Sequence, residues 1–237
     1  SNERLINKII IVIDGCEKFP KNLPENHTLY KKILIVYQYE NKGPGTSRNT
    51  GVLFSRSQNI IFLDTGDICT RDRLKTQINS LIDHDVSLGD IKEIDKKGNV
   101  FIRKSSRNKE DALKVIAYKN PFNNVTLAIK RKEFIKLNGY PPTRTAEDWV
   151  LMGKILKNDL SIFVEKKVLV IIKLDNNFIF RRSGSNVYKE IRKSILMLFE
   201  IGIISKKELF LSLFIQKISR KYLPLKILKI IYKIVRK

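Results

Sequence analysis

The sequence has few of the residues that disulfide-bonded, metal-clustered or membrane-spanning proteins use in number. Its 237 residues include two cysteines, two histidines and one tryptophan. Cys16 and Cys69 lack the spacing of a metal site, and two thiols in a chain of this size predict a reducing compartment. His27 and His84 have no ligand partner at useful spacing, so neither is assigned a role. Lys or Arg interrupts every apolar run before the roughly 20 residues that a bilayer-spanning helix needs.

Acidic residues are also scarce, because 24 Asp and Glu face 46 Lys and Arg, a formal net charge of +22. This imbalance predicts an anionic partner, which could be nucleic acid, a membrane surface or a phosphorylated substrate. Residues 186–237 hold much of the excess, with 13 Lys and Arg against three Glu.

The end of the chain has a regular pattern of charge. Between Tyr222 and Lys237, lysines recur at helical spacing and apolar residues cover most of the remaining surface. The pattern predicts a basic amphipathic helix that lies on an anionic membrane surface. The alternative is a helix that packs on the protein's own core and exposes its lysines to water.

Short runs rich in Ile and Val alternate with helical segments, which predicts an α/β fold with a mostly parallel sheet flanked by helices. Strands are predicted at residues 8–14, 32–37, 59–63, 126–130 and 161–172. Helices are predicted at residues 47–57, 71–81, 132–137, 147–157 and after 186, and a hairpin turn at 93–100. We expect one domain over residues 1–185 and a basic helical tail over residues 186–237.

Polar clusters follow the predicted strands, where ligands bind in open α/β sheets. They are Asp14-Gly15, residues 41–51 and residues 64–67, and a fourth, Glu147-Asp148, opens a helix. Hard cations prefer carboxylate oxygens, and Mg²⁺ sites commonly combine one or two carboxylates with substrate phosphates. The clusters therefore predict a divalent cation and a diphosphate at this edge of the sheet.

Two of these clusters carry a specific resemblance. Asn41-Lys-Gly-Pro-Gly-Thr-Ser-Arg-Asn-Thr-Gly51, followed by Ile60-Ile-Phe-Leu-Asp-Thr-Gly-Asp67, resembles the nucleotide-sugar half of family-2 glycosyltransferases. Those enzymes usually read N-x-G-x-x-x-A-R-N-x-G and then a strand that ends L-D-x-D-D. The resemblance implies a GT-A fold, a Rossmann-like sheet flanked by helices.

The second half of the chain resembles the acceptor half of the same family. The matching motifs are Asn120-Pro-Phe-Asn-Asn-Val-Thr-Leu-Ala-Ile-Lys130, Asn138-Gly-Tyr140, Glu147-Asp-Trp149 and Arg181-Arg-Ser-Gly-Ser185. Order and spacing hold from about Ile9 to the C-terminus. The similarity is closest to bacterial transferases that build exopolysaccharide, capsule and lipopolysaccharide.

The resemblance implies an inverting enzyme that moves a sugar from a nucleotide-sugar donor to a polysaccharide or lipid-linked oligosaccharide acceptor. Asp148 would be the general base for the acceptor hydroxyl. Asp64 and Asp67 would hold Mn²⁺ or Mg²⁺ at the donor diphosphate. Glu147 and Trp149 would lie on the acceptor side, although Trp149 is as readily a core residue. The donor nucleotide and diphosphate would be contacted by Asp14, Arg48, Asn49, Asp64, Arg181 and Arg182.

The sequence departs from the family pattern at three places. Gly66 replaces the second aspartate of the metal motif, so Asp67 or a backbone oxygen would have to substitute. Lys154 stands where the family often has arginine, which keeps the charge without the planar fork. The family's first strand and helix have no counterpart before Ile9, and Ser1 stands in place of methionine. We therefore expect a fragment or a processed product.

These observations place the enzyme in the cytoplasm, peripherally attached to the inner face of the bacterial membrane through residues 222–237. Two alternatives stay open. Gly66 and the missing first strand could mark a glycosyltransferase-fold remnant without turnover. The hypothesis of a nucleic-acid-binding protein rests on net charge alone, because no nucleic-acid-binding module is recognisable.

Overall fold

The α/β fold is built from short strands and amphipathic helices in alternation. The computed structural model describes residues 2–16, 28–175, 180–224 and 227. Its strands are β1 (Ile9–Asp14), β2 (Ile33–Gln38), β3 (Asn59–Ile61), β4 (Ile68–Cys69), β5 (Val86–Ile94), β6 (Val100–Arg103), β7 (Ala128–Lys130) and β8 (Ile162–Lys173). Its α-helices are α1 (Pro44–Leu53), α2 (Arg73–Asp83), α3 (Lys109–Val115), α4 (Arg131–Lys136), α5 (Glu147–Lys157), α6 (Ser185–Glu200) and α7 (Lys206–Lys217). Each strand and helix predicted between residues 8 and 172 is present, and α5 has the predicted bounds.

The main sheet has six strands, with β5 at its centre. The order is β3-β7-β5-β8-β4, and β6 also pairs with β5. β5 runs parallel to β8 and antiparallel to β6 and β7, while β3–β7 and β4–β8 are also antiparallel. The α/β class is therefore confirmed, but the expectation of a mostly parallel sheet is wrong. Strands β5 and β6 are joined by the predicted hairpin, in which Gly98 has φ +81°.

Strands β1 and β2 form a separate parallel pair. Within the described ranges, β1 pairs only with β2, and β3 pairs only with β7. Of the residues of β1, only Ile13 is buried. Helix α1 holds the pair: Ser47 Oγ donates to Gln38 Oε1 (2.8 Å), and Gln38 Nε2 donates to Thr50 Oγ1 (3.1 Å).

The hydrophobic core lies between the main sheet and the helices that follow it. Central β5 residues and most of α5 are buried, and α6 joins the same cluster through Ile191, Ile195 and Leu198. Gly153 of α5 allows this approach, because a Cβ there would overlap Leu198 Cδ2. Helix α6 begins at the predicted division between residues 185 and 186 and packs on this core, and the division into domain and tail stays a prediction.

Helical structure continues after α6, as predicted. Helix α7 is followed by a π-helical turn, Ile218–Tyr222. The predicted amphipathic helix over residues 222–237 lies almost wholly outside the described residues. No helix of the described part combines the length and the apolarity that crossing a bilayer requires.

Candidate functional site

Asp14, at the end of β1, fixes the loop that begins α1. Its carboxylate accepts hydrogen bonds from the backbone N–H groups of Lys42 (2.7 Å) and Gly43 (2.8 Å). Gly15 has φ +65°, and a Cβ there would overlap the backbone of Asn41. The structure thus places Asp14 at the amino end of α1. Its predicted contact with the nucleotide stays a prediction.

Arg48 joins the two halves of the site. From α1, its Nη2 donates to Asp64 Oδ1 (2.8 Å), and its Nη1 donates to Glu147 Oε1 (2.8 Å). Its guanidinium carbon also lies 5.3 Å from the centre of the Tyr140 ring. Since Asp64 follows β3 and Glu147 begins α5, one guanidinium connects the predicted donor motif to the predicted acceptor motif.

The ion pairs of Arg48 are partly withdrawn from water. The Arg48 side chain is 15% exposed and that of Glu147 is 9% exposed, whereas that of Asp64 is 38% exposed. Burial alone would lower the pKa of Arg48, but Tyr140, Asp64 and Glu147 together outweigh it and raise this pKa. The pKa of Glu147 is raised by burial and then by the charge of Asp148, although Arg48 opposes the shift. Arg48 therefore favours the charged form of Glu147.

Asn49 holds the turn that carries Tyr140. Its Nδ2 donates to Tyr140 O (2.8 Å), and its Oδ1 accepts from Tyr140 N (2.9 Å). Lys154 closes the same turn from α5 by donating to the carbonyls of Leu137 (2.9 Å) and Gly139 (3.0 Å). The structure thus directs the Asn49 amide to the protein backbone, and its predicted nucleotide contact stays a prediction. Because the single ammonium group of Lys154 bonds both carbonyls, lysine in place of arginine leaves this turn intact.

Gly139 is required by the close approach of Asn49. The residue has φ +52°, and a Cβ would overlap Asn49 Oδ1. We expect Gly139→Ala to destabilise the protein by about 3 kcal/mol, because both the left-handed backbone and the overlap carry a cost. The matched control is Gly98→Ala, where φ is +81° but no atom lies within 4 Å of the added carbon. This control should cost about 1 kcal/mol. Urea unfolding of both variants measures the difference, and equal losses would refute the role of Asn49.

Asp148 occupies the first turn of α5, beside Glu147. Its Oδ2 accepts from Asn120 Nδ2 (2.9 Å), and its Oδ1 accepts from Trp149 N (2.9 Å). Ala146, immediately before the helix, has φ +61°, a left-handed conformation that is costly for a residue with a Cβ. The two donors orient the carboxylate. Because Asp148 is only partly buried, it still reaches solvent.

Trp149 belongs to the core, which is the alternative that the sequence left open, and its assignment to the acceptor side stays a prediction. Only 4% of the residue is exposed, and its indole Nε1 donates to Ile116 O (2.6 Å). The Glu147 carboxylate is paired with Arg48, and its acceptor-side assignment also stays a prediction.

Asp64 and Asp67 are the two ends of one tight turn. Asp67 N donates to Asp64 O (3.2 Å), and Gly66 has φ +93° with open space around its Cα. Glycine at this position therefore suits the turn. Burial, followed by the charge of Asp64, raises the pKa of Asp67 to about 6, against an opposing effect of Arg73. The described residues hold no group of three or more His, Cys, Asp or Glu side chains that could bind a metal ion.

Arg73, which no sequence pattern singles out, supports the segments beside this turn. It is fully buried, and its Nη2 donates to the carbonyls of Phe62 (2.7 Å) and Val125 (3.0 Å). Its Nη1 donates to Cys69 Sγ (3.3 Å). Burial lowers the pKa of Arg73. In the sequence, Arg73 is one of several charged residues around a helix start, and nothing there separates it from surface arginines.

Arg182 is hydrogen-bonded to the π-helical turn that follows α7. Arg220 Nη1 donates to Arg182 O (2.7 Å), and Gly184 N donates to Arg220 O (2.9 Å). Arg182 is exposed, while the side chain of Arg181 lies outside the described part. The predicted contacts of both arginines with the donor diphosphate stay predictions.

Known proteins resemble this chain in sequence and in fold. The family model for glycosyl transferase family 2 matches residues 3–137, more than half of the chain. An uncharacterised glycosyltransferase of Haemophilus influenzae is 26% identical over 243 residues, covering 97% of this chain and 87% of the relative. The amylovoran biosynthesis glycosyltransferase AmsE of Erwinia amylovora is 23% identical over 240 residues, covering 98% of this chain and 88% of the relative.

A solved structure resembles the fold as a whole. The crystal structure of S. aureus TarS 1–349 in complex with UDP-GlcNAc superposes with a TM-score of 0.61 at 15% identity. The match covers 93% of this chain and 68% of the TarS chain. At this identity the likeness concerns the fold, which is therefore of the GT-A type, as expected. The family model, which matches more than half of the chain, shows that the chain belongs to glycosyl transferase family 2.

Proposed function

We propose that this protein is an inverting glycosyltransferase that moves a sugar from a nucleotide-sugar donor to a saccharide or lipid-linked acceptor. The observation that carries the proposal is the bridge through Arg48. It places Asp64, which would face the donor diphosphate, and Glu147, the neighbour of Asp148, on the same guanidinium. AmsE, named for amylovoran biosynthesis, makes bacterial exopolysaccharide the first acceptor class to test, with capsule and lipopolysaccharide after it.

Asp148 is the base in the proposed reaction. The acceptor hydroxyl gives its proton to this carboxylate as its oxygen forms a bond to the anomeric carbon. On the opposite face of the sugar, the bond between that carbon and the diphosphate oxygen breaks, so the configuration inverts. Asn120 and the Trp149 N–H hold the carboxylate in one orientation through the transfer.

The residues at the end of β3 suit a divalent cation. Asp64 and Asp67 supply two carboxylates on one turn, the number that Mg²⁺ or Mn²⁺ sites commonly combine with substrate phosphates. Asp64 Oδ1 is already engaged by Arg48, so its other oxygen and Asp67 would hold the ion. A bound cation would stabilise the charge that develops on the departing nucleoside diphosphate.

Replacing Asp67 tests this cation site. We expect Asp67→Asn to weaken Mn²⁺-dependent binding of UDP by at least about tenfold, because a neutral amide is a poor ligand for a hard cation. Titration calorimetry measures UDP binding with Mn²⁺ and with EDTA, where the variant and the wild type should agree. Asp72→Asn, at the start of α2, is the control and should bind as the wild type does. Unchanged Mn²⁺ linkage in Asp67→Asn would place the cation elsewhere.

The proposed activity is tested by nucleoside diphosphate release from a panel of nucleotide sugars, with UDP-GlcNAc first because TarS is described with it. A second candidate is a family member without turnover. Two observations favour it: Gly66 removes one carboxylate from the motif, and Arg48 already binds Asp64. This second candidate would be supported if no donor gave nucleoside diphosphate release and no nucleotide showed metal-linked binding.

A further inference from the structure

Helix α7 faces the wrong way for an ordinary surface helix. Its buried residues are Leu209, Ser212 and Gln216, two of which are polar. Its outward face carries large apolar side chains that are 40–63% exposed: Phe210, Leu211, Phe214 and Ile215. At 100° per residue, the centre of this outward set lies nearly opposite the buried set. A helix at a water-facing surface has the reverse distribution.

Specific contacts fix this orientation. Gln216 Nε2 donates to Tyr118 O (3.0 Å), and Gln216 Oε1 accepts from Arg220 Nε (3.2 Å). A capping box between Ser205 and Glu208 sets the first turn of the helix. Turning the helix to bury its phenylalanines would break the bond between Gln216 and Tyr118, so this bond holds the apolar face outward.

The apolar face continues beyond the helix and is bordered by positive charge. Ile218 and Tyr222, on the π-helical turn, are exposed by 39% and 61%. Basic residues lie at both ends: Lys206, Lys207, Lys217, Arg220 and Lys221. Glu208, the acidic residue of this segment, is engaged in the capping box. The surface therefore combines aromatic and aliphatic side chains with a local excess of positive charge.

We propose that the outward face of α7, with Ile218 and Tyr222, is a docking surface for an anionic lipid membrane. Exposed apolar patches mark interaction sites, and aromatic residues flanked by lysines are what an interfacial helix inserts at the level of the lipid headgroups. Two copies of this face would bring like charges together, which disfavours a dimer as its occupant. The sequence of residues 225–237, with five more basic residues and none acidic, has the same complementarity to anionic lipid.

Vesicle binding by the full chain tests the proposal independently of sugar transfer. The wild type should co-sediment with vesicles of phosphatidylcholine and phosphatidylglycerol, and less with phosphatidylcholine alone or at high salt. Phe210→Ser/Phe214→Ser should bind the anionic vesicles at least about tenfold more weakly. The matched control, Phe54→Ser/Ile82→Ser, removes two exposed apolar side chains elsewhere, which are 54% and 71% exposed, and should bind normally.

Two outcomes would overturn the proposal. In one, the α7 variant binds vesicles as the wild type does, while removal of residues 225–237 abolishes binding. In the other, the α7 variant loses a concentration-dependent dimer in sedimentation equilibrium and the wild type ignores vesicles. Phe214→Trp is a conservative second probe that keeps the face apolar. Brominated lipids should quench its added fluorescence, and quenching no greater than that of the buried Trp149 would also refute the proposal.

Discussion

Asp148→Asn should lower kcat for sugar transfer by about a thousandfold, with little change in donor affinity. General-base catalysis typically contributes about 10²- to 10⁴-fold, and an amide cannot take the proton of the acceptor hydroxyl. The variant keeps the shape of the side chain, and its oxygen still accepts a hydrogen bond from Asn120 or the Trp149 N–H. Steady-state kinetics with nucleoside diphosphate release as the readout, and calorimetry for donor binding, separate the two effects.

The control for this variant is Asp159→Asn, just beyond the same helix. Asp159 is exposed and paired with Lys109, and its left-handed backbone accommodates asparagine well. It should leave kcat unchanged. If Asp148→Asn turned over like this control, Asp148 would not be the base, and Glu147 would become the carboxylate to test.

Arg48→Met should destabilise the protein by about 3 kcal/mol, because it leaves two carboxylates without their shared counter-charge. Most of this loss should come from Glu147, since its side chain is nearly buried while that of Asp64 is 38% exposed. Urea unfolding measures the change. Arg56→Met, which removes an exposed arginine from the loop after α1, is the control and should stay within about 0.5 kcal/mol.

The loss in Arg48→Met should depend on pH in a defined direction. Arg48 holds down the pKa of Glu147, which burial already raises, so this pKa rises further in the variant. The folded variant then binds a proton that the unfolded chain, with a Glu pKa of about 4.3, releases. The stability of the variant therefore falls as pH rises from the unfolded pKa of Glu147 through its raised folded pKa. The loss of stability relative to the wild type should be larger at pH 8 than at pH 5. The double variant Arg48→Met/Glu147→Gln should recover part of the loss and flatten this dependence. A loss that is independent of pH would show that Glu147 does not rely on Arg48.

Local patterns in the sequence were sufficient to predict the helices and strands and the edge of the sheet at which the site forms. Helix α5 has acidic residues in its first turn and lysines in its last, which complement the helix dipole, and its bounds are confirmed. The motifs around Arg48, Asp64 and Glu147 were predicted to converge, and they do. These predictions rest on spacing within single segments and on the rule that ligands bind at strand ends.

Predictions that depended on tertiary contacts were less successful. The bonds of Asn49 to Tyr140 span 91 positions, and no local pattern encodes them. Arg73 is buried because carbonyl groups from two distant loops meet its guanidinium, and Trp149 is buried because Ile116 supplies an acceptor. Strand direction was also missed, since the runs of Ile and Val that predict a buried strand do not specify its partner.

The separate pairing of β1 with β2 gives the two halves of the site unequal local stability. The β1–β2 ribbon shares no strand with the six-stranded sheet within the described ranges, and it rests on α1 through Gln38, Ser47 and Thr50. A two-stranded ribbon is at best marginally stable alone, so we expect the β1–β2 ribbon to open as its own cooperative unit, at a lower free energy than global unfolding. Asp14 moves with this unit, whereas Asp148 stays with the core. Binding of a nucleotide at Asp14 would therefore also order the ribbon, and part of the binding free energy would be consumed in closing it.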